Sequence, residues 1–355
     1  MEKFYEVSNR FFFWLLLAVP LAVIAPWLPI PGTATFFIAA VAIIPLAKYI
    51  GEATEELAAR TNPALGGILN AAFGNAPGLI IGFFALQAGL VVLVKATITG
   101  AIIGNLLLVL GVAMFVGGRK RDKQSFNRTA VLASGSTLFL ATIALVVPAL
   151  FLSTEPQISQ TVVENLSILV SGLLIVVYVM SLFFSLRTHN HLYLQEIGKY
   201  EARWSVPRSI GVLFLSTLGV LFVSRVLVAS VEPLVNGWGW SELFIGVVVI
   251  AIIDNVTEHF SSVLVAYRDR MDLSLQIAIG SATQTAMVLA PLLVFLSLVL
   301  LQPMNLVFDT FELIAIVLSV LIVNLVIADG ESNWFEGVQL LAAYAIIAIA
   351  FFFHP

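Results

Sequence analysis

Long uninterrupted runs of apolar residues constrain this chain more than any other feature of its sequence. A bilayer core of ~30 Å is crossed by about 20 mostly apolar residues in one α-helix. Eleven such stretches can be read along the 355 residues, at 11–28, 34–57, 64–88, 92–117, 128–152, 161–186, 207–229, 242–266, 273–300, 309–328 and 334–353. These runs are too continuous for the alternating strands of a membrane β-barrel. They predict an all-α integral membrane protein with eleven transmembrane helices.

The scarcity of charge excludes most other classes of protein. Only 11% of the residues are charged and 60% are hydrophobic, whereas a soluble domain carries about 25% charged residues. A nucleic-acid partner would require a basic face, and a disulfide scaffold would require cysteines, of which there are none. The expected partner is therefore the lipid bilayer, and the sequence leaves open whether the chain forms a homo-oligomer.

The basic residues predict the orientation in the membrane. If the loops are numbered from the N-terminus, fourteen of the 17 Lys and Arg residues fall on one side: Lys3, Arg10, Arg60, Arg119, Lys120, Arg121, Lys123, Arg128, Arg187, Lys199, Arg203, Arg208, Arg268 and Arg270. Cytoplasmic loops carry an excess of such residues. We therefore expect a cytosolic N-terminus and a C-terminus on the opposite side.

Two interrupted spans indicate an internal duplication. The third span contains Gly74–Gly78 (GNAPG), and the eighth contains Asp254–Glu258 (DNVTE). When they are aligned on their asparagines, the two stretches lie 180 residues apart, and the same offset pairs Gly100 with Gly280. A constant offset across consecutive spans is typical of a repeat.

The duplication predicts how the chain is organised. An N-terminal helix (1–32) precedes a first repeat of spans two to six (33–186), a cytosolic connector (187–206) and a second repeat of spans seven to eleven (207–355). Because each repeat has five spans, the second must be inverted relative to the first. Inverted repeats are common in transporters, which bind substrate near the bilayer midplane on their interrupted helices.

Two carboxylates are expected at membrane depth in span eight. Asp254 and Glu258 lie four residues apart and therefore on one helix face. Ionisable groups within a span are costly and usually mark an ion or proton pathway. A location among lipid headgroups is disfavoured because Phe260–Ala266 continues the apolar run. Carboxylates bind hard cations such as Ca²⁺ and also take up protons, so the two ligands would compete.

Amides and backbone groups near the interruptions complete the predicted site. Asn75 and Asn255 are expected to be cation ligands together with Asp254 and Glu258, since an interrupted helix also frees main-chain carbonyls. The expected supporting polar or backbone positions are Gly74, Thr257, Asn105, Ser281 and Gln284.

Several charged residues lie near the predicted ends of the spans. Glu52 and Glu232 occupy matching places in the two repeats, where they would attract cations at two entrances unless they are ordinary solvated helix ends. His189 and His191 belong to the connector, for which a solvated role is favoured. His259 is a modest candidate for proton handling.

These residues resemble those of the calcium/proton exchangers of the CAX family, within the cation/calcium exchanger superfamily. The stretches that carry the resemblance are Glu52–Arg60, Gly66–Pro77, Lys95–Gly111, Arg187–Leu192, Phe244–Gly246, Asn255–His259 and Gly280–Gln284. The resemblance implies eleven spans and export of a cytosolic divalent cation, Ca²⁺, by alternating access in exchange for H⁺. It implies no cofactor beyond the transported ions.

Two positions depart from the family pattern, which has a glutamate where this chain has Gly78 and a glycine where it has Asp254. Three explanations stay open: Asp254 replaces the missing carboxylate, the protein moves another cation, or a change is engineered. A transport-impaired variant and a sodium/calcium exchanger are the alternative functions. The latter favours small hydroxyl residues where this chain has Asn75 and Asn255. An enzyme is not expected, because no Gly-x-Ser-x-Gly or His-Glu-x-x-His motif occurs.

Overall fold

A computed structural model describes residues 11–61, 66, 69–70, 72–189 and 202–354. The described chain is almost wholly helical. The helices are α1 (Phe11–Trp27), α2 (Gly32–Ala58), α3 (Ala76–Gln87), α4 (Val91–Gly118), α5 (Arg128–Thr154), α6 (Gln160–Thr188), α7 (Val206–Trp238), α8 (Glu242–Asp254), α9 (Val256–Tyr267), α10 (Met271–Val299), α11 (Thr310–Asp329) and α12 (Trp334–Phe353). The two short strands are β1 (Gln124–Ser125) and β2 (Glu331–Ser332).

The helices confirm the predicted all-α membrane architecture. Among the described residues, eight helices are long and apolar enough to cross a membrane, and α8 with α9 gives a ninth when this pair, bent by 60°, is taken as one span. The shorter apolar helices α1 and α3 lie within the first and third predicted spans. Residues 1–10 and most of the predicted connector, including His191, lie outside the described residues.

Both interruptions occur at an asparagine with nearly the same backbone conformation. Asn75 has φ −96° and ψ 13°, and Asn255 has φ −98° and ψ 15°. At the first break, Pro77 stands at the start of α3, where its missing amide hydrogen costs no helical hydrogen bond. The second break has no proline, so it does not depend on one.

The helix boundaries repeat at the predicted offset. Adding 180 to the bounds of α3 gives those of α9. In α4, a π-helical segment at Gly104–Val109 separates two α-helical halves, and in α10 the segment Thr285–Leu289 does the same. Such segments are rare and are frequent at functional sites.

The corresponding helices α2 and α7 pack antiparallel. A Cβ added to Gly237 near the end of α7 would lie 3.1 Å from Cγ2 of Thr33, near the start of α2. A Cβ added to Gly219 would lie 2.8 Å from Cδ2 of Leu46, near the middle of α2. The first residues of one helix thus contact the last residues of its counterpart.

A buried cluster of charged groups ties α4 to α11. Glu312 is only 2% exposed; it accepts hydrogen bonds from Thr99 Oγ1 and from the backbone N–H of Asp309, both at 2.9 Å. Lys95 Nζ donates to Asn305 Oδ1 at 2.7 Å and to a main-chain carbonyl at 2.6 Å. The cluster fixes the first half of α4 against the turn before α11.

At the opposite end of the bundle, polar contacts join three loops. Asp269 accepts a hydrogen bond of 2.8 Å from Gln124 and forms an ion pair of 3.3 Å with Arg121. Strands β1 and β2 pair antiparallel beside them. Lys123 donates to Glu331, and this hydrogen bond raises the pKa of the Lys123 ammonium.

Replacing Glu312 by Ala should lower the free energy of unfolding by roughly 2 to 4 kcal/mol, because Thr99 loses a charged acceptor and α11 loses its capping carboxylate. Thermal unfolding in detergent measures the change. Glu155→Ala, at an exposed glutamate, is the control. Equal melting temperatures for both variants would contradict the assigned role of the cluster.

Candidate functional site

The two interruptions border one polar cavity of about 280 Å³ inside the apolar bundle. Six of the residues predicted from the sequence line it: Gly74, Asp254, Thr257, Glu258, Ser281 and Gln284. Residues separated by about 200 positions in the chain therefore meet at the predicted site.

The asparagines of both breaks are held by side chains from α4 and α10. Asn75 Nδ2 donates to Gln284 Oε1 at 2.9 Å. Asn105 Nδ2 donates to Ser281 Oγ at 2.9 Å and to Asn255 Oδ1 at 3.3 Å. Asn105 is fully buried and Asn255 is 4% exposed, so this network is shielded from water.

The π-helical segments place two of these anchors. Asn105 lies within Gly104–Val109, and Gln284 directly precedes Thr285–Leu289. A π-helical turn inserts one residue and so redirects the side chains that follow it. The predicted supporting residues of α4 and α10 thus reach the breaks because the helices are locally overwound at that depth.

The two acidic residues lie on either side of the second break. Asp254 ends α8 and Glu258 lies in the first turn of α9, and their carboxyl groups interact electrostatically. Asp254 also contacts Gly78 in the first turn of α3. A carboxylate in the first turn of a helix interacts favourably with the positive end of the helix dipole.

Neutral oxygen atoms would have to complete the shell of any cation. Among the described residues, no group of three His, Asp or Glu side chains could hold a metal ion. Thr257 Oγ1 and Asn105 Oδ1 are buried and have no hydrogen-bond partner within the described parts of the chain. Two carboxylates, such neutral oxygens and water together make a ligand set that Ca²⁺ accepts.

The acidic end of α2 differs from the prediction. Glu52 forms an ion pair with Lys48 on its own helix and does not line the cavity. Glu55 lines it instead, together with Ala47 and Gly51, and lies close enough to Glu258 to interact electrostatically. The spacing of four between the three α2 residues places them on one helix face, and this was the sequence signal for Glu55.

The remaining predicted residues lie elsewhere. Glu232 is exposed in the first turn of Val231–Trp238, away from the cavity wall. His189 stacks on Phe184 at the end of α6. His259 is half-buried and is not among the residues that line the cavity.

The two repeats differ in what covers their corresponding surfaces. Leu273, Gln276, Ile277 and Gly280 of α10 line the open cavity. The positions 180 residues earlier, on α4, lie under α8. A Cβ added to Gly246 would lie 2.5 Å from the Cβ of Ala96, and one added to Gly100 would lie 2.5 Å from the Cα of Val247.

Comparison with known proteins places the chain among ion transporters. A family model described as sodium/calcium exchanger protein matches residues 31–187 and 208–353. The chain is 44% identical to a Ca²⁺/H⁺ antiporter of Synechocystis sp., with 99% of each chain covered. It is also 44% identical to the Ca²⁺/H⁺ antiporter ChaA of Bacillus subtilis, with 97% of this chain and 99% of the relative covered.

The fold is similar to that of a solved relative. The structure of native YfkE matches with a TM-score of 0.85 and 40% sequence identity, over 97% of this chain and 100% of that chain.

The unequal cover predicts a difference between two matched cysteine variants of this cysteine-free chain. A cysteine at Gln276, on the cavity wall, should react readily with a water-soluble maleimide. A cysteine at Ala96, the corresponding position and 0% exposed, should not. The measurement is the mass shift of the solubilised protein, and equal labelling would contradict the asymmetry.

Proposed function

Because the chain belongs to the sodium/calcium exchanger protein family, we propose that it is a secondary antiporter that exports cytosolic Ca²⁺ in exchange for H⁺. The observation that carries the proposal is the pair of carboxylates, Asp254 and Glu258, that faces a polar cavity at a helix break within an apolar bundle. Relatives of nearly equal length are described as Ca²⁺/H⁺ antiporters, and none of these descriptions is of an enzyme.

The proposed architecture has eleven spans, in which α1 precedes two inverted repeats of five. Span three includes α3, and α8 with α9 forms span eight. Two findings support the inversion: α2 and α7 pack antiparallel, and the bounds of α3 and α9 differ by 180. The two separate segments matched by the family model agree with the boundary at the connector. The distribution of Lys and Arg favours a cytosolic N-terminus.

Exchange follows from the shared use of two carboxylates. Ca²⁺ would bind Asp254, Glu258, the amide oxygens at Asn75 and Asn255, and water. A carboxyl group that takes up a proton loses the charge that attracts the cation, so each proton bound favours release of Ca²⁺. The neutral donors cannot titrate in this way, and their role is to keep the coordination geometry in both forms.

Alternating access would exchange the cover of the two corresponding surfaces. The cavity reaches Glu55 at the end of α2 that we assign to the cytosol, whereas Gly100 and Gly246 close the other side by backbone contact. In the second state, the surface around Gly280 would be covered and that around Gly100 would be free. Glu232 remains the proposed entrance residue on the outer side, and Glu55 rather than Glu52 lines the mouth seen here.

Purified protein in liposomes should release protons when Ca²⁺ is taken up, and Glu258→Gln should abolish both fluxes because it removes a charged, titratable ligand. A pH-sensitive dye and radioactive Ca²⁺ measure the two fluxes. Glu155→Gln, at an exposed glutamate, should transport normally. Ca²⁺ uptake driven by a Na⁺ gradient without proton movement would instead support the sodium-coupled alternative.

Alanine at the two matched glycines should shift the conformational equilibrium in opposite directions. Nothing in the described structure lies within 4 Å of a Cβ at Gly280, so Gly280→Ala should favour the state with the open cavity. Gly100→Ala would clash with Val247 and should disfavour it. Maleimide labelling at a Gln276→Cys reporter should rise in the first variant and fall in the second, by about tenfold between the two. Shifts in the same direction would exclude this exchange of contacts.

A further inference from the structure

The carboxylate of Asp254 occupies the space that a side chain at Gly78 would need. A Cβ added to Gly78 would lie 3.1 Å from Cγ and 3.2 Å from Oδ1 of Asp254, and closer still to Oδ2. Asp254 belongs to the second interruption and Gly78 to the first. The acidic side chain therefore crosses from its own half of the site into the other half.

The internal repeat gives this contact its meaning. At an offset of 180, Gly74 corresponds to Asp254 and Gly78 corresponds to Glu258. The second repeat thus has acids at both positions, while the first has glycine at both. The place beside position 78 is the repeat-related counterpart of the place beside Glu258. Asp254 reaches that place from the opposite half.

We propose that Asp254 supplies the carboxylate on the first repeat's side of the cation, and that Gly78 lacks a side chain so that Asp254 can enter. The inference rests on the proposed function and specifies how its cation is held. The site then presents one carboxylate from each side, although both belong to the segment Asp254–Glu258.

The surroundings of Gly78 favour an anion there. Gly78 lies in the first turn of α3, and the preceding Asn75 makes no side-chain cap to the amide groups of that turn. Glu258 lies in the first turn of α9. Each carboxylate therefore faces the start of a different helix, where the helix dipole stabilises negative charge.

The proposal makes the two positions interdependent. Gly78→Ala should displace the Asp254 carboxylate although it removes no ligand. Asp254→Asn should leave one charge at the site while keeping the shape of the side chain. Combining Gly78→Glu with Asp254→Gly should return a carboxylate to the same place from the first repeat.

The test measures Ca²⁺ affinity of the full-length purified variants by radioactive Ca²⁺ binding at fixed pH. Asp254→Asn should weaken binding by about 10- to 100-fold, because affinity at oxygen sites depends on the number of charged ligands. Gly78→Ala should weaken it by about tenfold. Gly172→Ala, where a Cβ meets nothing within 4 Å in the described structure, should bind as the wild type does. The relocated double variant should recover to within about tenfold of the wild type, a coupling that independent sites would not show.

The outcomes separate this inference from the proposed function. Unchanged affinity in a folded Asp254→Asn protein would overturn it, and so would a monodisperse double variant that binds no better than Asp254→Asn. A wild-type protein without Ca²⁺ flux or binding would contradict the proposed function itself.

Discussion

The structure depends on satisfying polar groups at the depth where two helices are interrupted. A break in a transmembrane helix leaves amide and carbonyl groups without partners, which is costly away from water. Here the breaks at Asn75 and Asn255 are held by Gln284, Asn105 and Ser281 from neighbouring helices. Because the breaks survive, acidic side chains and neutral oxygens can face a cavity inside an otherwise apolar bundle.

Two kinds of buried carboxylate are distinguished by their partners. Glu312 is bound by Thr99 and by the backbone of Asp309, so its role in the structure is to anchor α4. Asp254 and Glu258 line the cavity and interact with each other. Burial alone would not separate these groups. The accessible cavity beside the second pair makes it the one suited to an exchangeable ligand.

Close backbone contact distinguishes the two sides of the molecule. Glycine at positions 100 and 246 lets α4 and α8 approach to a distance that a methyl group would prevent. The corresponding surface around Gly280 is open to the cavity. The same set of positions is therefore covered in one repeat and exposed in the other, and a chain with related repeats can exchange these arrangements at modest cost in free energy.

The sequence by itself determined the helical spans, the two breaks and the acidic pair, because hydrophobic length and charge at membrane depth can be read along the chain. It also identified Asn105, Ser281 and Gln284, whose polarity is unusual within apolar runs. Only the tertiary structure decided that Glu55 rather than Glu52 faces the cavity, that π-helical segments direct the anchors, and that Asp254 reaches across to Gly78. Hydropathy specifies how long a helix is but not which way it is rotated, and contacts between distant segments arise only when the helices pack.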